Sequence, residues 1–199
     1  MLTAHRSDAA TPLYDLPDGY DLDHLRGALK HLDRFRTAVD GGAHRGIWTR
    51  ELARNFDVVI AFEPREELAL QIPCGFVHTV ALGEREGTCS IAEGSKNTGQ
   101  GHVVAGEAVT MLPLDHFKIM RLDFLKLDLE GYELPALKGA EQTIHDQRPA
   151  ILVEQNGLSE RYGYDAVELG LWLKRMGYWC VDSWGVDVLY LHREYRRRL

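Results

Sequence analysis

Residues 124–140 read FLKLDLEGYELPALKGA, and this stretch decides the fold. It predicts an apolar strand that ends in two acids one residue apart, Asp128 and Glu130, followed by a turn and an amphipathic helix. Residues 39–49, VDGGAHRGIWT, show the same arrangement earlier in the chain, with Asp40 at a strand end. Because ligands of open α/β sheets bind outside the carboxyl ends of the strands, these acids predict a crevice for a cationic or hydroxyl-rich ligand.

The rest of the chain continues this alternation of strands and helices. An early helix starts after Asp21, and its apolar stripe runs to Phe35. The other predicted helices are one after the first turn, then 65–72, 133–147 and 166–176; the predicted strands are 37–40, 58–62, 76–82, 122–127 and 150–153. Residues 178–191 are typical of a closing antiparallel hairpin. We therefore predict an α/β fold with a mostly parallel sheet and helices on both faces.

Composition favours a single domain over residues 1–199. The net charge of -7 disfavours a nucleic-acid partner, because binding to phosphates needs clustered lysine and arginine. The three cysteines have no metal-type or disulfide spacing, and no signal peptide or membrane span is evident. We expect a cytoplasmic protein without a membrane partner, and a homo-oligomer is left open.

Two segments fall outside the alternating pattern. Residues 1–20 are polar with several turn formers, and we expect an irregular N-terminal arm. Residues 83–107 are rich in glycine and too long for a plain connector. This Gly-rich insertion is either a hairpin or lid over the crevice, or a mobile surface loop.

The turn at residues 41–46 resembles a dinucleotide fingerprint, but Ala43 occupies the middle glycine position. The carboxylate of Asp40 would repel a pyrophosphate there and would suit an ammonium, such as the amino-acid end of S-adenosylmethionine. Glu63 ends the second strand about 20 residues later, where an acid accepts hydrogen bonds from ribose hydroxyls. Nicotinamide cofactors share that ribose contact, so Glu63 indicates a nucleoside without saying which one.

Four segments, VDGGAHRGIWT, VVIAFEP, FLKLDLEGYELPALKGA and AILVEQN, together resemble the successive motifs of FkbM-type methyltransferases. The resemblance runs from about residue 37 to about residue 156. It implies a Rossmann-like class I methyltransferase fold with a seven-stranded sheet. It also implies S-adenosylmethionine as the cofactor and methylation of oxygen on sugars or other small molecules. His44 departs from the asparagine that is common at its position in the family.

The resemblance also implies a role for individual residues. The methionine portion of the cofactor would be held by Asp40, Gly41, Gly42, Ala43 and Gly46. The ribose would bind Glu63, and the adenine would lie between Pro64 and Arg65 on one side and Ala81 and Leu82 on the other. Asp128 would lie near the sulfonium and the amino group, and Glu130 would face the acceptor.

Methylation of a hydroxyl requires removal of its proton, and Glu130, Glu154 and His44 are the candidate bases. A magnesium ion on Asp128 or Glu130 together with Glu154 and Asn156 is an alternative, since hard oxygen ligands suit this ion. The spacing does not favour that alternative, so we predict no metal ligands. A nicotinamide-dependent oxidoreductase and a non-catalytic binding module stay open as other functions of this fold.

Overall fold

A seven-stranded sheet organises the computed structural model, which describes residues 22–93 and 101–195. The predicted arm at residues 1–20, the cap at Asp21 and part of the Gly-rich insertion lie outside the described residues. The helices are α1 Leu22–Leu29, α2 Ile47–Ala53, α3 Glu66–Ala69, α4 Glu133–Lys138, α5 Glu141–Gln147 and α6 Ala166–Arg175. The strands are β1 Thr37–Gly41, β2 Val58–Phe62, β3 Phe76–His78, β4 Ala81–Leu82, β5 Gly87–Ala92, β6 His102–Leu112, β7 Leu122–Leu127, β8 Ala150–Glu154, β9 Tyr178–Trp184 and β10 Asp187–His192. Two 3-10 helices, 114–117 and 158–162, complete the described elements.

The main sheet has the strand order β3-β2-β1-β7-β8-β10-β9. Its pairs are parallel from β3 through β8, and β10 runs antiparallel to both β8 and β9. The chain order reverses between β1 and β7, so the carboxyl ends of these two strands border the crevice where α/β sheets bind ligands. This is the mostly parallel sheet with an antiparallel C-terminal hairpin that the sequence predicts.

Helices cover both faces of the sheet, because successive side chains along a strand point to opposite faces. Leu125 and Ile151 belong to the buried cluster that includes side chains of α4, α5 and α6. Phe124 and Leu152, one residue away on each strand, belong to the cluster that includes side chains of α1 and α2. Strands β7 and β8 are therefore mostly apolar because both of their faces are buried, apart from Asp123 and Lys126 in β7 and Glu154 at the end of β8.

The early helix is shorter than its apolar stripe. α1 ends at Leu29, and the next three backbone N–H groups donate to the third residue before each, which tightens the chain into a 3-10 turn. Leu32 is still buried in the same cluster as Leu29. The prediction of one helix running to Phe35 is therefore wrong in length, although it identifies the buried side chains.

The predicted helix over 133–147 is wrong as a single element, since it breaks into α4 and α5 at Gly139. The side chain of Asp115 takes the place of an N-cap for α5. It accepts hydrogen bonds from the backbone N–H groups of Gln142 and Thr143 at 3.0 and 2.9 Å. At the break, the backbone of Gly139 packs against the carbonyl oxygen of Gly83, where a side chain would not fit.

The predicted strand over 76–82 is also wrong as one strand. β3 joins the main sheet, whereas β4 pairs with β6 in a separate three-stranded sheet of order β4-β6-β5. The Gly-rich insertion contains β5 and the start of β6, which pair as an antiparallel hairpin. The described part of the Gly-rich insertion is therefore a hairpin, as one of the two interpretations of the sequence predicts, and not a plain loop. Its closure over the crevice as a lid stays a prediction. Within residues 22–93 and 101–195, no helix is long and apolar enough to cross a membrane.

Two glycine-to-alanine substitutions test the contact at the helix break. A Cβ on Gly139 would lie 1.9 Å from the carbonyl oxygen of Gly83, whereas a Cβ on Gly87 would meet nothing within 4 Å. We expect Gly139→Ala to lower the free energy of unfolding by about 1–3 kcal/mol, the usual result of overpacking. Gly87→Ala should change it by less than about 1 kcal/mol. Urea unfolding of both variants checks this, and equal effects would contradict the close approach.

Candidate active site

The turn after β1 is held against the end of β2. The backbone N–H groups of Gly42 and Ala43 donate to the carbonyl oxygen of Phe62 at 2.9 and 3.0 Å, and the N–H of Gly46 donates to Ala43 at 2.8 Å. Gly42 has a φ of 74°, and a Cβ there would lie 1.9 Å from the carbonyl oxygen of Asp128. Glycine is therefore required at position 42 both by its backbone conformation and by the end of β7.

A buried charge pair lies directly beneath this turn. The strand register pairs Asp40 with Lys126, and the ammonium of Lys126 lies 2.9 Å from Asp40 Oδ1. Lys126 Nζ also donates to the carbonyl oxygens of Gly42 and Gly41 at 3.0 and 3.3 Å. Thr49, in the first turn of α2, donates its hydroxyl to Asp40 Oδ2 at 2.6 Å. One buried network therefore joins β1, β7 and α2.

Electrostatics keep Lys126 charged. Burial of the ammonium lowers its pKa, but the carboxylates of Asp40 and Asp128 raise it by more, so the pKa of Lys126 lies above its usual value. Neither Lys126 nor Thr49 is among the site residues predicted from the sequence. The available signal was a lysine inside an otherwise apolar strand, since a fully buried lysine requires a partner.

A cleft with an empty volume of about 320 Å³ opens beside the turn. Its lining residues are Gly42, Ala43, His44, Arg45, Ile47, Trp48, Lys126 and Asp128. The Lys126 ammonium lies 5.4 Å from the centre of the Trp48 ring, within cation–π distance. Asp128 lies on the solvent side, with 43% of its side chain exposed and its carboxylate 3.7 Å from Lys126 Nζ.

The acid at the end of β2 is also buried. Glu63 Oε2 accepts the backbone N–H of His44 at 2.9 Å, and Oε1 accepts the backbone and Nε groups of Arg65 at 3.1 and 3.0 Å. Glu63 therefore joins the turn after β1 to the segment after β2. Burial, and then the charge of Arg65, lowers the pKa of His44, so this imidazole is neutral at pH 7.

Three acids meet where β7 and β8 end. One carboxylate oxygen from each of Asp128, Glu130 and Glu154 lies within 4.8 Å of the other two. Asn156 donates its side-chain amide to Glu154 Oε2 at 2.6 Å. The structure thus brings together two of the three predicted bases, while His44 lies on the turn beside the cleft.

Hydrogen bonds to two buried side chains fix the loop that contains Glu130. The buried carboxylate of Glu133 accepts the backbone N–H groups of Leu129 and Gly131 at 2.8 and 3.1 Å. The hydroxyl of Tyr164 donates to the carbonyl oxygen of Gly131 and accepts the N–H of Leu134 at 3.1 Å. Glu133 and Tyr164, which sequence analysis did not identify, therefore set the position of Glu130 through the backbone.

Burial and the crowding of like charges raise the pKa values of Glu130 and Glu154. Burial and then the charge of Asp128 raise the pKa of Glu130 to about 7. Burial, Asp128 and Glu130 raise that of Glu154 to about 9. Glu130 can therefore be ionised near neutral pH and still accept a proton there, as a general base must. The same oxygen atoms also suit magnesium, and the absence of a required metal stays a prediction.

Of the residues expected around the adenine, Ala81 and Leu82 lie in the small sheet, whereas Pro64 follows a strand of the main sheet. Ala81 packs with Cys89 and Met111 in the small sheet. Leu82, although in the same sheet, lies beside the turn after β1, since a Cβ on Gly41 would come within 3.2 Å of its Cδ1. Ala81 and Leu82 therefore do not end a strand of the main sheet, contrary to the predicted strand over 76–82. Pro64 is half-buried after β2.

The model of one family, described as the methyltransferase FkbM domain, matches residues 40–180. The chain belongs to this family. FkbM-domain proteins are methyltransferases that depend on S-adenosylmethionine, so the match favours a methyltransferase over the nicotinamide-dependent oxidoreductase. None of the curated proteins compared with this FkbM-domain chain matches it.

Solved structures support the fold of this FkbM domain. The FkbM methyltransferase of Methylobacillus flagellatus KT is 20% identical, with a TM-score of 0.57 over 79% of this chain. The chain spans 44% of the length of that protein. An rRNA methylase from Streptococcus thermophilus is 14% identical, with a TM-score of 0.51 over 86% of this chain and 94% of that one. These structures confirm the predicted class I methyltransferase fold and show nothing of the substrate.

The raised pKa of Glu154 makes a testable difference to stability. Folding retains a proton on Glu154 that the unfolded chain releases above about pH 4.5, so the wild type loses stability as pH rises toward 9. Glu154→Gln removes this titration. We expect the free energy of unfolding of Glu154→Gln, relative to wild type, to rise by about 1–3 kcal/mol between about pH 5 and about pH 9. Urea unfolding at both pH values checks it, with the exposed Glu107→Gln as the control that should show no such rise.

Proposed function

We propose that this FkbM domain transfers a methyl group from S-adenosylmethionine to a hydroxyl of a sugar or other small molecule. The observation that carries the proposal is the acidic cluster of Asp128, Glu130 and Glu154, placed beside the cleft at the turn after β1. A hydroxyl must lose its proton when it is methylated, and a carboxylate with a pKa of about 7 can take that proton near neutral pH.

The proposed cofactor site fits the residues that surround the cleft. The methionine portion would lie against the turn of Gly41, Gly42, Ala43 and Gly46, where the glycine backbone leaves room for close approach. Asp40 supports that turn from below. Asp128 would accept the ammonium, since its partly exposed carboxylate lines the same cleft.

The nucleoside portion would extend toward β2. Glu63 Oε2 would accept a ribose hydroxyl, because this oxygen has a second lone pair beyond the bond from His44, whereas Oε1 already accepts two bonds from Arg65. Pro64 and Arg65 would flank the adenine, with Leu82 and Ala81 toward the small sheet. When bound, S-adenosylmethionine supplies an electrophilic methyl group to the acceptor oxygen.

The chain's own residues would position and deprotonate the acceptor. Glu130, at the tip of its fixed loop, would accept the hydroxyl proton, while Glu154, with a pKa of about 9, would already carry a proton near neutral pH and would take the base's role only at higher pH. Neutral His44 lies on the cofactor turn and is the third candidate base. The acceptor would be a small molecule or carbohydrate rather than a nucleic acid, consistent with the net charge of -7.

Calorimetric titration with S-adenosylhomocysteine tests the cofactor site. We expect the wild type to bind it, and Glu63→Gln to weaken binding by about 1–3 kcal/mol, since the substitution disturbs hydrogen-bonded partners in the nucleoside site. The exposed Glu107→Gln serves as control and should bind as the wild type does. Absence of binding to the wild type would overturn the proposed cofactor site.

Glu130→Gln tests the base. We expect transfer to an acceptor found among sugars and nucleotide sugars to fall about 100-fold or more, with little change in cofactor affinity. In the wild type, transfer should fall as pH drops through about 7, because the base becomes protonated.

Radiolabelled methyl transfer with and without magnesium measures both effects. Unchanged transfer by Glu130→Gln would rule this residue out as the base. Strict dependence on magnesium would instead assign the three carboxylates as metal ligands. Cofactor binding without transfer to any acceptor would favour the non-catalytic binding module.

A further inference from the structure

The ammonium of Lys126 already has a full set of acceptors. A lysine has three N–H groups. Three acceptors lie in reach of Lys126 Nζ: Asp40 Oδ1 at 2.9 Å, and the carbonyl oxygens of Gly42 and Gly41 at 3.0 and 3.3 Å. The side chain is 5% exposed. Lys126 therefore faces the turn beside the cleft. Its N–H groups contact Asp40 and that turn, and none is left to contact a ligand.

Asp40 is buried, and each of its oxygens has a neighbour, although Oδ1 makes an ion pair and no hydrogen bond within the described residues. Its carboxylate is 0% exposed, with Lys126 at one oxygen and the Thr49 hydroxyl, at 2.6 Å, on the other. A ligand ammonium in the cleft would have to displace one of these partners to reach it. Asp40 thus supports the turn but does not present its charge to the cleft.

Asp128 also lies close to Lys126, but unlike Asp40 it has a partly exposed side chain. It lines the cleft, 43% of its side chain is exposed, and its carboxylate lies 3.7 Å from Lys126 Nζ. With Asp40 neutralised by Lys126, the carboxylate that remains open to a cationic group is that of Asp128. Trp48, on α2, contacts the same ammonium, with 5.4 Å between the centre of its ring and Lys126 Nζ.

We infer that Lys126 is a positioning residue for the amino-acid end of the cofactor: it fixes the carbonyl groups of Gly41 and Gly42 and neutralises Asp40, so that Asp128 is the carboxylate offered to the cofactor ammonium. The inference rests on the proposed cofactor site. It assigns Lys126 no direct contact with the ligand, and it confines the effect of Lys126 to the methionine portion.

Two ligands separate this role from a general structural one. S-adenosylhomocysteine carries the amino-acid end, whereas 5′-methylthioadenosine keeps the adenosine and lacks that end. We expect Lys126→Met to weaken binding of S-adenosylhomocysteine about tenfold or more in calorimetry, and binding of 5′-methylthioadenosine less than about threefold. Asp128→Asn should show the same selectivity. Lys138→Met, which removes an exposed lysine of α4, should change neither affinity.

A second variant covers the case in which Lys126→Met fails to fold, because it leaves Asp40 buried without its counter-charge. The double substitution Asp40→Asn with Lys126→Met removes both charges. We expect it to melt closer to the wild type than Lys126→Met does, while it keeps the selective loss for S-adenosylhomocysteine, since the Gly41 and Gly42 carbonyl groups still lack their donor.

The outcomes are distinct. Equal weakening of both ligands in the folded variants would make Lys126 merely structural, and wild-type affinity for both would remove any role; either result overturns the inference. A wild type that binds neither ligand would instead refute the proposed cofactor site on which the inference stands.

Discussion

The interaction on which the site depends is the ion pair between Lys126 and Asp40, buried between adjacent parallel strands. Moving an ammonium and a carboxylate out of water is costly, and the cost is offset only if every remaining N–H and lone pair finds a partner. Thr49 and the carbonyl groups of the glycine turn supply most of those partners, while Asp40 Oδ1 has the ion pair with Lys126 but no hydrogen bond within the described part of the chain. The end of β1, the start of α2 and the end of β7 are thereby held in one arrangement, which is also the floor of the cleft.

The small sheet is joined to the same site from two sides. The hydroxyl of Tyr162, in the 3-10 helix after β8, donates to the carbonyl oxygen of Val103 on β6 at 2.9 Å, and its ring packs edge-on against Tyr132. On the other side, the Arg65 guanidinium packs against Gly101, just before β6. The inserted hairpin is thus anchored both near the acidic cluster and near the segment proposed to hold the nucleoside.

Much of this molecule could be predicted from the sequence, because it depends on local patterns. Apolar runs with acids at their ends identify most of the strands, and parallel strands bring those ends together. The pairing of Asp40 with Lys126 could not be predicted in this way, since it depends on strand register. The break between α4 and α5 depends on Asp115 and Gly83, which lie elsewhere in the chain, so helical periodicity alone misses it.

The backbone at Glu130 has a consequence of its own. Its φ is 54°, a left-handed backbone conformation that is less favourable for a residue with a side chain than for glycine. The neighbouring bonds to Glu133 and Tyr164 hold the loop in this shape regardless of what residue 130 is. Glycine there would relax the chain and delete the carboxylate, so stability and chemistry make opposite demands on this position. A population of random variants screened only for folding would drift toward glycine at residue 130, and one screened for turnover would keep the acid.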